Sequence, residues 1–220
     1  MTRSASLLLG LFVVACASDP APPPPAPAGP LFQDAFDGPG AFPAGWDSTN
    51  GDVSVVDAPD APSGGKALRA QSLTSRPRDA LALKTLKSPG ATSLTCSFAV
   101  KLAKYGGDSQ LTVGRLDIAG GALLFDLKPD GWHFFGRFGT QEIADSGPGQ
   151  LLGKWSVVKI TLESTGNVVV VFDGEQRIKR VDTAATPLDA SRGALELGLA
   201  SPPAVADTEA LYDDVVCTSR

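Results

Sequence analysis

Residues 94–102, LTCSFAVKL, alternate without a break, so Leu94, Cys96, Phe98, Val100 and Leu102 fall on one face of an extended chain. Such a face is stable only against a second apolar layer, so a packed β-sheet is the starting point for everything else. Short runs of the same kind recur at 52–57, 67–72, 111–118, 123–127, 132–138, 155–163, 168–172, 176–181, 194–199 and 211–217, after an apolar opening at 31–36. Gly (24) and Pro (18) are abundant between them, and helix-forming runs are hard to find. About a dozen strands at these turn spacings predict an all-β domain built as a two-sheet antiparallel sandwich.

Local signals refine that picture. Asn50-Gly51 is a strong hairpin dipeptide, Asp173-Gly174 reads as another turn, and Lys128-Pro-Asp-Gly131 turns the chain between 123–127 and 132–138. Within 111–118 the apolar phase slips from Leu111/Val113 to Leu116/Ile118, which a bulge at Gly114 explains. The run VVVVF at 168–172 is apolar on both faces and predicts cover on both sides. The charge run 175–180, with Ile178 between Arg177 and Lys179, fits an exposed edge hairpin, and a loop is expected around 146–149. Several loops exceed hairpin length, as a jelly roll requires.

Upstream of the domain the chain changes character. Arg3 precedes a mostly apolar run at 5–15, which ends on Ala15 directly before Cys16. As a helix this run spans about 17 Å, short of a hydrocarbon core of roughly 30 Å, and so reads as a secretory signal. Its ending, Val13-Val14-Ala15-Cys16, resembles the lipobox of bacterial lipoproteins. The resemblance implies a signal peptide over 1–15, a diacylglycerol on the Cys16 thiol and acylation of the new amine, palmitate being the usual label. Ala17, rather than Asp, after the cysteine implies the outer membrane. Residues 16–30 then form the lipidated cysteine and a proline-rich linker, whose run at 20–30 makes a semi-rigid stalk of roughly 35 Å. The folded domain is expected over 31–220. An ordinary secreted protein with a stray cysteine is the alternative. With Cys16 lipidated, Cys96 and Cys217 remain in an oxidising compartment, which predicts a disulfide between them.

The chain carries 19 basic and 24 acidic side chains, net −5. No basic cluster stands out, so nucleic acid as a partner lacks its electrostatic footprint. A polybasic membrane patch is absent too, which leaves the lipid as the anchor.

The order of motifs over 31–220 resembles the concanavalin A-like lectin/glucanase superfamily, particularly its laminin-G-like members. The matching residues are Phe32-x-Asp-x-Phe36 with Gly45-Trp46, then GGKAL at 64–68, Gly153-Lys-Trp155, VVFDGE at 170–175 and Tyr212-Asp-Asp-Val215. The resemblance implies a jelly roll of two curved antiparallel sheets whose members bind glycans, cleave polysaccharides or bind proteins, so fold alone does not settle function. It also implies a structural calcium ion between Asp34 in the opening segment and Asp213 in the closing strand, although Ala35 stands where the family usually has an acid.

Glycoside hydrolysis needs two carboxylates flanking the scissile bond. The glucanase pattern Glu-x-Asp-x-x-Glu does not occur, Asp126 lies alone among apolar neighbours, and Glu196 has no acidic partner two residues away. Lyases of this fold use His or Tyr, and only His133, Tyr105 and Tyr212 are available. On its strand His133 shares a face with Phe135 and Arg137, while Trp132, Phe134 and Phe138 point into the core. The face of His133, Phe135 and Arg137 is the candidate ligand site, as the floor of a groove, although a solvated sheet face explains the pattern equally well. Trp46 and Trp155 read as packing anchors. The sequence therefore describes a lipid-anchored envelope protein with a non-catalytic binding or structural jelly roll, a glycan being the first candidate ligand. The alternatives are a polysaccharide-active hydrolase or lyase, and a protein-binding envelope component.

Overall fold

A computed structural model describes residues 29–40, 42–107, 110–128, 131–138, 141–149, 152–180 and 188–220. Residues 1–28, with the expected signal sequence, Cys16 and most of the proline-rich linker, lie outside the described residues. Among the described residues there are fifteen strands: β1 (Phe32–Asp34), β2 (Ser48–Asn50), β3 (Asp52–Asp57), β4 (Lys66–Ser72), β5 (Ala80–Lys87), β6 (Ser93–Lys104), β7 (Leu111–Ala119) and β8 (Gly121–Lys128). They continue with β9 (Gly131–Phe138), β10 (Gln141–Pro148), β11 (Trp155–Glu163), β12 (Val168–Phe172), β13 (Glu175–Arg180), β14 (Asp189–Ala200) and β15 (Thr208–Ser219).

Two antiparallel sheets make the sandwich. The first runs β13-β12-β11-β6-β15-β4-β3, with β1 also on β15; the second runs β10-β9-β8-β7-β14-β5-β2. Neighbours distant in sequence, such as β6 with β15 and β7 with β14, interleave the halves of the chain in the way of a jelly roll. The core is the facing pair of inner surfaces, with Phe98, Phe125, Phe134 and Tyr212 among its largest fully buried side chains. Leu94, Cys96, Phe98, Val100 and Leu102 are all buried, as their alternation requires. Cys96 and Cys217 are directly paired across β6 and β15 and form a disulfide.

Three local readings are corrected by the pairing. Asn50-Gly51 does not close a hairpin, because β2 pairs with β5 in one sheet and β3 with β4 in the other. Gly51 is instead the corner where the chain changes sheets, at φ 73°; a Cβ there would stand 1.9 Å from the Asp79 carbonyl oxygen. The loop expected around 146–149 is largely the end of an edge strand, β10, along β9. In β12 only Val168, Val170 and Phe172 are buried, while Val169 and Val171 stay half-exposed, so cover is one-sided. The expected bulge is present, one residue before Gly114: in the β7–β8 ladder the register slips between Thr112 and Gly114 and leaves Val113 as the extra residue.

Tyr212 joins the two sheets through this irregularity. Its hydroxyl lies 2.8 Å from the Val113 carbonyl oxygen and 2.9 Å from that of Gly198, both at register slips of the second sheet.

Candidate functional site

The register of the second sheet lays out its outer face in rows. Residues whose neighbours fill the core alternate with residues that face away, and cross-strand partners line up side by side. One row reads Ser146, His133, Asp126, Thr112; the next Ala144, Phe135, Leu124, Arg115, Glu196, Leu83; the third Glu142, Arg137, Ala122, Asp117, Ala194, Thr85. His133, Phe135 and Arg137 are thus brought together on this face, with Trp132, Phe134 and Phe138 buried behind them. The His133 and Phe135 rings stack with centroids 6.3 Å apart.

Asp126 is not alone. It is 1% exposed, yet it points to the outer side and is the cross-strand partner of His133. Its Oδ1 accepts from the Thr112 hydroxyl at 2.7 Å, its Oδ2 accepts from the Gln110 amide, and His133 Nδ1 stands 3.3 Å from Oδ2. Burial of the carboxylate is offset by these donors. Lys128 pairs with Gly131, which puts 126 opposite 133, so the pairing was open to hairpin arithmetic; Gln110 and Thr112 were not, because they arrive from the neighbouring strand.

In the middle row Arg115 is held by Asp117, Nε to carboxylate at 2.9 Å. Glu196, directly across from Arg115 in β14, has its carboxyl pushed up chiefly by burial, with the nearby Asp117 and Asp79 charges adding and Arg115 opposing. The acidic partner that Glu196 lacks along its own strand therefore comes from β7.

The first sheet's outer face is closed over β15. The loop at 58–65 lies on it: Ala58 and Ala61 pack with Ala67 and Leu211, and Trp155 joins them. Asp60 takes Lys101 at 2.7 Å and the Trp155 indole N–H at 3.2 Å. Asp213, fully buried, accepts from the Ser63 backbone N–H at 2.8 Å and its hydroxyl at 2.7 Å. Asp34 accepts from Phe36 N–H at 2.8 Å and Trp46 Nε1 at 2.9 Å. Burial, with help from the Asp213 and Asp37 charges, raises the Asp34 carboxyl. Each of the four oxygens of the expected calcium pair therefore accepts one protein donor. Among the described residues no group of three metal-ligating side chains converges anywhere. The donor set does not fit a calcium cage, which calls for about six to eight open oxygens. Trp46 packs against Phe32 and Phe36, as an anchor should.

Two clefts lie beside the face. One of 280 Å³, at an end of the sandwich, has Trp132 as its floor, capped by Arg177 5.0 Å from the ring centroid. The other, of 570 Å³, opens between the edge strands β10 and β13 and shares Glu142 and Ala144 with the face. An extended ligand on the face can continue over its β10 edge into this second cleft.

No protein-family model matches the chain, and no curated protein matches it either. Solved structures do. An alginate lyase superposes with a TM-score of 0.63 at 13% identity, covering 86% of this chain and 97% of that one. An alginate lyase of polysaccharide lyase family 7 gives 0.52 at 15% identity, covering 76% and 82%. A botulinum neurotoxin type C structure, of a toxin that enters cells through interaction with two ganglioside molecules, gives 0.53 at 15% identity and covers 77% of this chain. This chain spans 42% of that toxin chain. At these identities the likeness is one of fold, and the fold is a two-sheet antiparallel jelly-roll sandwich.

Proposed function

We propose that the protein is a lipid-anchored, glycan-binding module of a bacterial cell envelope, tethered at the outer membrane through Cys16 and reading polysaccharide with the outer face of its seven-stranded sheet. The observation that carries the binding reading is the registered face itself. Phe135 and Leu124 form an apolar strip flanked by the hydrogen-bonding groups of His133, Arg115, Arg137 and Glu196, the mixture that a sugar's CH face and hydroxyls require. On the opposite sheet the loop at 58–65 covers the outer face over β15. Among the neighbours of this fold, lyases act on alginate and a toxin takes gangliosides, which supports carbohydrate as the ligand class. The anchor rests on residues 1–16 alone.

A second reading, a polysaccharide lyase, is favoured by the Asp126–His133 pair, since a carboxylate that orients a histidine suits proton abstraction. Tyr212 does not supply the second proton-handling group, because its hydroxyl is buried between the sheets, and Tyr105, which follows β6 of the first sheet, packs against the core. Binding without turnover is the better reading on that ground.

Affinity electrophoresis against a panel of polysaccharides tests both. Retardation that Phe135→Ala and Arg137→Ala each weaken by about tenfold, with no new chain ends, supports binding. Unsaturated products abolished in His133→Ala would establish the lyase, and no retardation by any glycan would refute the binding reading. Cys16→Ala should lose radioactive palmitate label and remain unprocessed; retained label removes the anchor.

A further inference from the structure

We infer that the face selects a neutral, hydroxyl-rich glycan over a polyuronate, and that Asp126 sets this selection by fixing the tautomer of His133. The inference rests on the glycan-binding reading above. Three groups converge on the Asp126 carboxylate: the Thr112 hydroxyl, the Gln110 amide and His133 Nδ1. A carboxylate that takes three donors has no proton of its own to give, so each group facing it must donate. The proton of a neutral His133 ring therefore sits on Nδ1, and Nε2 keeps its lone pair. The ring is 18% exposed, and its remaining cross-strand neighbour, Ser146, is uncharged. A lone pair presented there accepts from a sugar hydroxyl and repels a carboxylate.

The charge of the face has the same sense. Its three rows hold two arginines, Arg115 and Arg137, against four carboxylates, Asp126, Asp117, Glu196 and Glu142. Arg115 is already engaged by Asp117, and Arg137 stands directly opposite Glu142. A polyanion laid across these rows meets two more carboxylates than arginines, whereas a neutral chain loses nothing by it. Asp126 touches no ligand in this account; it is a positioning residue that acts through the ring.

The chain has one histidine, so a nitrogen-15 spectrum of ring-labelled, full-length protein reports His133 without assignment. Where the ring is neutral, Nδ1 should appear protonated and Nε2 bare. Asp126→Asn, nearly the same shape, should raise the Nε2–H population and weaken binding of a neutral glucan oligosaccharide by about three- to tenfold. On the unaltered protein the glucan oligosaccharide should bind about tenfold or more tighter than an oligogalacturonate or an alginate oligosaccharide. A wild-type ring found as the Nε2–H tautomer overturns the lock. Polyuronate binding as tight as glucan binding overturns the selection while leaving the glycan reading in place. Failure of both classes to bind overturns the glycan reading and the selection together.

Discussion

Replacing Tyr212 by Phe removes one oxygen from the centre of the sandwich and tests how the sheets are joined. The hydroxyl is buried and shares its one proton between two carbonyls, Val113 at 2.8 Å and Gly198 at 2.9 Å. Both carbonyls sit where bulges have broken the ladder of the second sheet, so no strand neighbour replaces the lost donor. Leaving them short should cost about 1–3 kcal/mol. At roughly 2–4 °C per kcal/mol for a domain of this size, a loss near 2 kcal/mol lowers the melting temperature by about 4–8 °C.

The same residue carries a pH signature with a definite sign. Burial raises the Tyr212 phenol well above its ordinary value of 10.0, so the folded chain holds a proton that the unfolded chain releases. That contribution is fully present below pH 10 and is lost as the pH rises above it, by about 1.4 kcal/mol per pH unit. Phe has no proton to lose. The roughly 2 kcal/mol gap between wild type and Tyr212→Phe should therefore close about one and a half units above pH 10. Urea melts followed by tryptophan fluorescence, from pH 8 to 11.5, measure it. If both proteins lose stability in parallel above pH 10, the phenol is reaching solvent and the bolt between the sheets is not as described.

The disulfide closes a loop with a sequence separation of 121, for which chain entropy sets a ceiling of about 5 kcal/mol. Reduction should lower the melting temperature, and denatured, unreduced protein should show neither Cys96 nor Cys217 alkylated; alkylation of both would dismiss the bond. Asp213→Ala cuts both hydrogen bonds to Ser63 and should cost about 2–4 kcal/mol, while opening 58–65 to protease. The melting curve of the wild type should coincide in EDTA and in millimolar calcium, and a calcium-dependent rise would restore the ion that the donor set argues against.

Strand existence was legible wherever the inner face carried large apolar residues, as in β6, β9 and β11. It failed where backbone pairing alone recruits the strand. The strand β10, QEIADSGP, has Asp, Gly, Pro and Ala in place of β-formers, and it forms because β9 offers it a complete edge. Pro148 is tolerated at the last position of that edge. The strand β5, ALALKTLK, is built of good helix formers, and only Ala80, Ala82 and Leu86 turn inward, where small side chains suit close approach to β14. Asn50-Gly51 shows the complementary limit. A dipeptide dictates a left-handed backbone at Gly51, but the partner on either side depends on strands elsewhere in the chain.

The candidate site divides along the same line. Period two along one strand was enough to put His133, Phe135 and Arg137 on a single face, because that requires nothing beyond the strand itself. What gives the face chemical character comes from three other strands. Asp126 reaches His133 from β8, Thr112 reaches Asp126 from β7, and Glu196 meets Arg115 from β14. Of these only the first was within reach of counting across a tight turn. The bulge at Val113 then decides the rest. Before it Thr112 faces outward toward Asp126; after it the phase has slipped by one, so that Arg115 and Asp117 face outward instead of Leu116 and Ile118. Without that extra residue, strict alternation from Thr112 would put Leu116 and Ile118 on the open face and turn Arg115 and Asp117 into the core, where an unscreened pair costs several kcal/mol. The irregularity is thus what allows one strand to contribute Leu111 and Leu116 to the core and three polar side chains to the site, and Tyr212 supplies the hydrogen bond that the irregularity leaves open.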